Sequence, residues 1–76
     1  MLNNFICIED DTDNSECYIN RDEISAIHII GDVHTEDSEY PYNMTIYLSK
    51  GNIFTFSFAK SKTRSFYLHR ILGVDD

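Results

Sequence analysis

The chain is 76 residues long and has no Trp, one Pro, three Gly and two Cys. The low Gly and Pro content excludes collagen-like and low-complexity sequences. Two cysteines are too few for a disulfide scaffold. A chain of this length buries only about 60% of the surface that its unfolded form exposes. We therefore expect one domain, residues 1–76, with a small hydrophobic core.

Long hydrophobic runs are also missing. The first apolar run, residues 5–8, is too short for the core of a secretion signal, and no basic residue precedes it. No run approaches the roughly 20 apolar residues that a membrane-spanning helix needs. These features predict a cytoplasmic protein without a membrane partner, in which Cys7 and Cys17 are exposed to a reducing environment. The sequence leaves open whether the two cysteines form a disulfide.

Positive charge is scarce, since six Lys and Arg face thirteen Asp and Glu, for a net charge of −7. Residues 1–39 contain eleven of the acids and only Arg21 among the bases, a net charge of −10; residues 40–76 have a net charge of +3. Four of the bases fall in or near a predicted helix: Lys60, Lys62, Arg64 and Arg70. They are too few for strong phosphate binding, so we expect no direct contact with nucleic acid. The asymmetry instead indicates a charged partner surface.

Apolar and aromatic runs bounded by polar turns predict five β-strands. The strands are residues 5–8, 17–19, 24–30, 42–48 and 53–58. A loop centred on Thr12 would pair the first two strands with Cys7 opposite Cys17 and Phe5 opposite Ile19. The acidic residues around Thr12 would then form a solvated hairpin loop.

The fourth and fifth predicted strands form a hairpin whose register follows from burial. A three-residue loop places Leu48 opposite Phe54 and gathers the large apolar side chains of both strands on one face. This loop needs a left-handed residue at its third position, and Asn52 is the predicted one. A two-residue loop would flip one strand's apolar set to the other face, so we favour the three-residue loop.

After Ala59 the apolar residues adopt helical spacing, with Ser61 as the predicted N-cap and Gly73 as the end of the helix. Phe66 lies on the far side of this helix with Arg70, away from one apolar stripe. The stripe consists of Tyr67, Leu68, Ile71 and Leu72. The pattern predicts an α+β fold: an antiparallel sheet of about five strands in a meander, followed by one C-terminal helix packed on one face. Closure of the sheet into a partial barrel is left open.

No motif for catalysis or cofactor binding is present. Asp11, Asp13 and Ser15 match positions 1, 3 and 5 of a calcium-binding EF-hand loop, but Glu16 stands where that loop needs Gly. The three histidines lack the spacing of metal ligands, and there is no nucleophile elbow or Gly-rich phosphate loop. We therefore expect no enzymatic activity, no metal and no cofactor.

Acidic residues of two predicted loops form the candidate partner-binding site. They are Asp10, Asp11, Asp13, Glu16, Asp32, Glu36, Asp37 and Glu39. Our first hypothesis is that these carboxylates take the place of phosphates and bind a basic, nucleic-acid-binding surface on a partner protein. An inhibitor of the phage or mobile-element type would act in this way. The alternative is that the acidity serves solubility only.

A structural or regulatory homo-oligomer is the second hypothesis. In the predicted register both faces of the N-terminal strands are apolar, and one helix cannot cover both faces. Leaving several such side chains in water forgoes about 1.5–3 kcal/mol for each of them. Either the sheet curls into a partial barrel, or a second copy covers it, and the homodimer is slightly favoured. The candidate contact residues are Ile6, Ile8, Tyr18, Ile27, Ile29 and Phe66.

Overall fold

The computed structural model describes residues 4–30 and 39–73. Within these ranges the elements are β1 (Phe5–Glu9), β2 (Glu16–Asn20), a 3₁₀ turn (Arg21–Glu23), β3 (Ile24–Ile29), β4 (Tyr42–Leu48), β5 (Ile53–Phe58) and α1 (Ser61–Leu72). The predicted α+β class, the antiparallel strands and the C-terminal helix are confirmed. No helix in the described ranges has the length and apolar character needed to cross a membrane.

The five strands form two sheets rather than the single predicted meander. β1 and β2 form a two-stranded hairpin, and β3, β4 and β5 form a three-stranded antiparallel sheet in that order. The 3₁₀ turn separates the sheets: the Asn20 side chain caps it by accepting the N–H of Asp22 at 3.0 Å. The N–H of Arg21 donates to the Asn4 carbonyl at 2.7 Å. The chain therefore leaves β2 in a new direction before β3 begins.

The β1–β2 register differs from the predicted one by one residue. Ile6 lies opposite Ile19, and Ile8 lies opposite Cys17. This pairing places Ile6, Ile8 and Ile19 on one face, where each is at most 4% exposed. Burial of these isoleucines explains the observed register, because a slip of one residue would turn a strand's apolar set towards solvent. Ile6 and Ile8 therefore belong to the protein's own core, which corrects their assignment to a self-association surface.

The two cysteines lie on opposite faces of the hairpin, because Cys7 pairs with Tyr18 rather than with Cys17. Both are free thiols in the structure. Successive side chains of a strand point to opposite faces, so the Cβ vectors of these cysteines diverge and do not suit a disulfide. The predicted facing pair is therefore wrong.

The β4–β5 hairpin has the predicted three-residue loop, shifted by one position. Leu48 donates its N–H to the Asn52 carbonyl at 2.9 Å, and the loop is residues 49–51. Gly51, with φ of +95°, takes the left-handed position that was predicted for Asn52. Glycine adopts this conformation at no steric cost. The strand register consequently moves by two residues, with Ile46 opposite Phe54, and the apolar face is unchanged.

A β-bulge in β3 brings three isoleucines to the core face. Ile24 pairs with Leu48 while Ala26 pairs with Tyr47, so Ser25 is the extra residue. The Ser25 hydroxyl donates to the Tyr47 carbonyl at 3.1 Å. Because the bulge adds a residue, Ile24 packs against the core together with Ile27, three positions later, and with Ile29.

The core lies where the two sheets meet α1, and it draws side chains from both sheets. Its buried members are Ile6, Ile8, Ile19, Met44, Ile46, Phe56, Phe58 and Ile71. Helix α1 contacts β1, β4 and β5. Tyr67 and Leu68 pack against the core, as the predicted stripe requires, whereas Leu72 is 58% exposed.

The ends of α1 differ in how they are capped. Lys60, rather than the predicted Ser61, is the N-cap residue, and its side chain makes no capping hydrogen bond. At the other end Gly73 adopts a left-handed conformation with φ of 72° and donates its N–H to carbonyls of the last turn, as predicted. The first-turn N–H groups of α1 therefore receive no hydrogen bond from the side chain of the N-cap residue.

Candidate functional site

The loop between β1 and β2 contains four of the candidate carboxylates. We define the acidic loop as residues 9–16, which carry Glu9, Asp10, Asp11, Asp13 and Glu16. Two backbone hydrogen bonds close it: Asp10 N–H to the Ser15 carbonyl and Asn14 N–H to the Asp10 carbonyl, both at 2.9 Å. Asn14 has φ of 58°, a left-handed conformation that asparagine tolerates well.

Two carboxylates shape the acidic loop from within. Oδ1 of Asp10 accepts the N–H of Thr12 at 3.0 Å and its hydroxyl at 2.7 Å. Oδ1 of Asp13 accepts the N–H of Ser15 at 2.9 Å. Side-chain and then backbone hydrogen bonds from Ser15 lower the pKa of Asp13 below its ordinary value of 3.8. In both cases an Asp side chain accepts the backbone N–H two residues later, and such hydrogen bonds fix the loop conformation. The carboxylates of Asp10 and Asp13 are therefore held in defined orientations.

Asp11 has a different role from its neighbours. Its carboxylate Oδ2 accepts the N–H of Ala59 at 2.9 Å, and its own N–H donates to the Ser57 carbonyl at 3.2 Å. The carboxylate thus lies beside the N-terminus of α1, whose first turn contains no acidic residue. A negative charge is stabilising there because of the helix dipole. Asp11 therefore ties the acidic loop to the segment that joins β5 to α1.

Tyr18 extends the site onto β2. Its hydroxyl donates to Oε2 of Glu16 at 3.1 Å, and the side chain is 64% exposed. The Cys7 side chain, and then the Glu16 carboxylate, raise the pKa of Tyr18 to about 12. The hydrogen bond from the Tyr18 hydroxyl orients the Glu16 carboxylate. On the opposite face, burial raises the pKa of the Cys17 thiol.

The second predicted acidic loop is only partly described. Asp32, Glu36 and Asp37 lie outside the described residues, and Glu39 is exposed. The structure therefore brings together Asp10, Asp11, Asp13 and Glu16, and it does not test their grouping with the other four.

Arg64, considered from sequence as a phosphate contact, joins α1 to the three-stranded sheet. Its Nη1 donates to the Ile30 carbonyl at 3.1 Å and to the Asn43 carbonyl at 3.4 Å. Its guanidinium also lies 5.3 Å from the centre of the Tyr42 ring. Sequence reasoning missed this role, because no local pattern links a helix to carbonyls more than twenty residues away.

The candidate self-association residues are spread over several elements. Phe66 is 54% exposed, on the far side of α1 as predicted, with the Arg70 guanidinium 5.7 Å from its ring centre. Tyr18 is exposed on the outer face of the β1–β2 hairpin, and Ile27 and Ile29 are half-buried on β3. Only Ile6 and Ile8 are removed from this set by the structure.

Across residues 4–30 and 39–73, no group of three or more His, Cys, Asp or Glu side chains is arranged to hold a metal ion. Every buried side chain in these ranges is apolar. Comparisons of the chain with protein-family models, with curated proteins and with solved structures find no match.

Proposed function

We propose that the protein is a small acidic, non-enzymatic binding protein that blocks a basic, nucleic-acid-binding surface of a partner protein. The observation that carries the proposal is the fixed geometry of the acidic loop. Asp10 and Asp13 are oriented by hydrogen bonds to Thr12 and Ser15, and Glu16 by Tyr18. Groups that are ordered before binding lose less conformational entropy when a partner docks.

The chemistry of this contact is the pairing of carboxylates with Lys and Arg side chains that otherwise bind phosphates. Oδ1 of Asp10 and Oδ1 of Asp13 accept hydrogen bonds within the loop. The remaining acceptor capacity of each carboxylate is directed to a partner. A net charge of −7 also steers encounter with a basic surface, an effect that salt weakens.

The proposal extends to an inhibitor carried by a phage or mobile element and acting in the cytoplasm on a host nuclease or defence complex. Small size and strong negative charge support it, since such a protein needs one binding surface and no catalytic pocket. The blocked surface is the one that the target uses for nucleic acid.

A charge-matched pair of variants tests the role of the acidic loop. The double variant Asp10→Asn with Asp13→Asn removes two charges. The amide oxygens that it introduces can still accept from Thr12 and Ser15. Asp22→Asn with Glu23→Gln, in the 3₁₀ turn, is the control with the same net charge. Asp11 is left intact because its carboxylate accepts the Ala59 N–H just before α1.

Each tagged protein is used to capture partners from a lysate of the native host at low and at high salt, and the captured proteins are quantified by mass spectrometry. Wild type and control are expected to retain one partner at low salt and to release it with salt or duplex DNA. The loop variant is expected to lose it. Equal capture by the loop variant at low salt contradicts the proposal, as does a captured partner that duplex DNA does not displace.

A structural or regulatory homo-oligomer is the second candidate. The observation favouring it is an exposed aromatic pair on the outer face of the β1–β2 hairpin, with Phe5 41% and Tyr18 64% exposed. Light scattering after size exclusion at two concentrations tests it. A mass of one protomer at the higher concentration would exclude the homodimer. If the mass is that of two protomers, Phe5→Ser or Tyr18→Ser is expected to reduce it to that of one.

A further inference from the structure

A groove of about 560 Å³ lies between β3 and the C-terminal half of α1. It arises because β3 is at the edge of its sheet, whereas α1 packs mainly over β4, β5 and β1. The side chains that line it are apolar on both sides: Ile24, Ile27 and Ile29 from the strand, and Leu68, Ile71 and Leu72 from the helix. The volume is in the range of small-molecule sites.

The groove has one positively charged group, the side chain of Arg21. The acidic residues next to Arg21 in sequence are engaged elsewhere. Oδ2 of Asp22 accepts the Asn4 amide at 2.6 Å, and Oε1 of Glu23 lies 3.6 Å from Nζ of Lys50. Within residues 4–30 and 39–73, no carboxylate forms an ion pair with the Arg21 guanidinium, and Glu23 pairs with Lys50 instead.

Gly73 helps to place this guanidinium at the end of α1. A Cβ atom at Gly73 would lie 3.4 Å from Nη2 of Arg21, so the absence of a side chain leaves room for the cation. The carbonyl groups at the end of a helix carry partial negative charge and favour a cation nearby. Arg21 thus lies beside the apolar walls, and no carboxylate of the described residues pairs with it.

We propose that this groove binds an amphipathic monocarboxylate of the fatty-acid class, with its alkyl chain along the apolar walls and its carboxylate on Arg21. The apolar lining matches the chain, and the planar guanidinium matches a carboxylate through two parallel hydrogen bonds. A second copy of this chain suits the groove less well, because each copy carries a net charge of −7.

Decanoate and 1-decanol are the probes, because they share the alkyl chain and differ in charge. Each is titrated below its aggregation limit into the ¹⁵N-labelled protein, and amide chemical shifts are followed. Decanoate is expected to produce saturable shifts confined to β3, Arg21 and residues 68–73. The alcohol is expected to bind at the same place more weakly, since it lacks the charged contact.

Three variants separate the carboxylate contact from the apolar one. Arg21→Gln is expected to weaken decanoate binding by about tenfold, as for loss of a charged hydrogen bond, and to leave decanol unchanged. Lys62→Gln removes an exposed cation from α1 outside the groove and is expected to change neither. Leu72→Gln, at an exposed wall position, is expected to weaken both probes. Circular dichroism checks that each variant is folded.

Several results would overturn this proposal. They are an absence of saturable decanoate binding, shifts centred on Lys60 and Lys62, and unchanged decanoate affinity in Arg21→Gln. A peptide with an apolar C-terminus that binds the groove where decanoate does not would assign it to a protein partner. A concentration-dependent dimer whose formation prevents decanoate binding would assign it to a second copy.

Discussion

The two hairpin loops of this protein achieve the same reversal of the chain by different means. In the acidic loop, side chains of Asp10 and Asp13 bind backbone and hydroxyl groups within the loop. In the β4–β5 loop, residues 49–51, the backbone closes the turn by itself, with Gly51 at φ of +95°. The first loop therefore couples its charge to its shape, whereas the second depends on one residue that has no side chain.

The loops also differ in how they connect to the rest of the fold. In the acidic loop, the Asp11 carboxylate accepts the N–H of Ala59, which lies just before α1. The β4–β5 loop reaches the 3₁₀ turn, where the N–H of Ser49 donates to the Glu23 carbonyl at 2.8 Å. Each loop thus links a strand pair to an element outside its own sheet. The acidic loop is therefore a structural part of the molecule as well as a charged surface.

The largest expected effect tests whether the hairpin and the sheet share one core. Ile8 in β1 and Phe58 in β5 are both fully buried. Truncation to Ala is expected to lower the free energy of unfolding by about 2–5 kcal/mol for Ile8 and about 3–5 kcal/mol for Phe58. Urea unfolding followed by circular dichroism and tyrosine fluorescence should give one coincident transition for each variant. Separate transitions for the two probes would show that the hairpin folds independently.

Gly51→Ala measures the dependence of the β4–β5 loop on backbone conformation. No atom lies within 4 Å of a Cβ at this position, so the cost is backbone strain alone. We expect a loss of about 1–3 kcal/mol in the free energy of unfolding. Asn14→Gly in the acidic loop is the matched change, and it should alter stability little because both residues tolerate φ of 58°. Equal losses of unfolding free energy in the two variants would contradict this difference between the two loops.

Asp11→Ala tests the link between the acidic loop and α1. The loss of its hydrogen bond to Ala59 is expected to lower stability by about 1 kcal/mol and to speed hydrogen exchange of the Ala59 amide. Glu9→Ala removes the same charge from an exposed side chain and serves as the control. Unchanged hydrogen exchange of the Ala59 amide in Asp11→Ala would show that the Asp11 carboxylate does not stabilise the start of α1.

The smallest effect concerns pH. The pKa of Asp13 is lowered in the fold, so its contribution to stability is present above the ordinary value of 3.8 and is lost as the pH falls through the lower folded value. A carbon-detected NMR titration should find Asp13 titrating below 3.8. Ser15→Ala is expected to shift its pKa back towards 3.8, because the Ser15 side chain is the main cause of the shift. A pKa that stays low in this variant would assign the shift to another group.

Local pattern predicted the elements of this fold but not how they join. The strands, the end of α1 at Gly73 and the outward position of Phe66 follow from periodicity and from glycine. The β1–β2 register did not, because the sequence does not distinguish a loop centred on Thr12, which pairs Cys7 with Cys17, from a loop centred between Thr12 and Asp13, which pairs Cys7 with Tyr18. Only the packing of Ile6, Ile8 and Ile19 against the rest of the core decides it.

The candidate site was predicted in composition and not in structure. The acidic residues before and after Thr12 were found from sequence, but nothing local distinguishes Asp11 from Asp10. Their difference comes from the N–H of Ala59, 48 positions away in the chain. The groove at Arg21 escaped prediction for the same reason, since its walls belong to β3 and α1.

Sequential pairing of the strands has a consequence for folding kinetics. Among the strands that the structure describes, β1 pairs with β2 alone, and β4 pairs with the strands immediately before and after it. Each pairing closes a short stretch of chain, and folding rates fall as the mean sequence separation of contacts rises. We therefore expect the docking of α1 against β1, which closes the longest loop, to be the slowest structural step. A transition state with both sheets formed and α1 undocked would place Ile71 among the last residues to be buried.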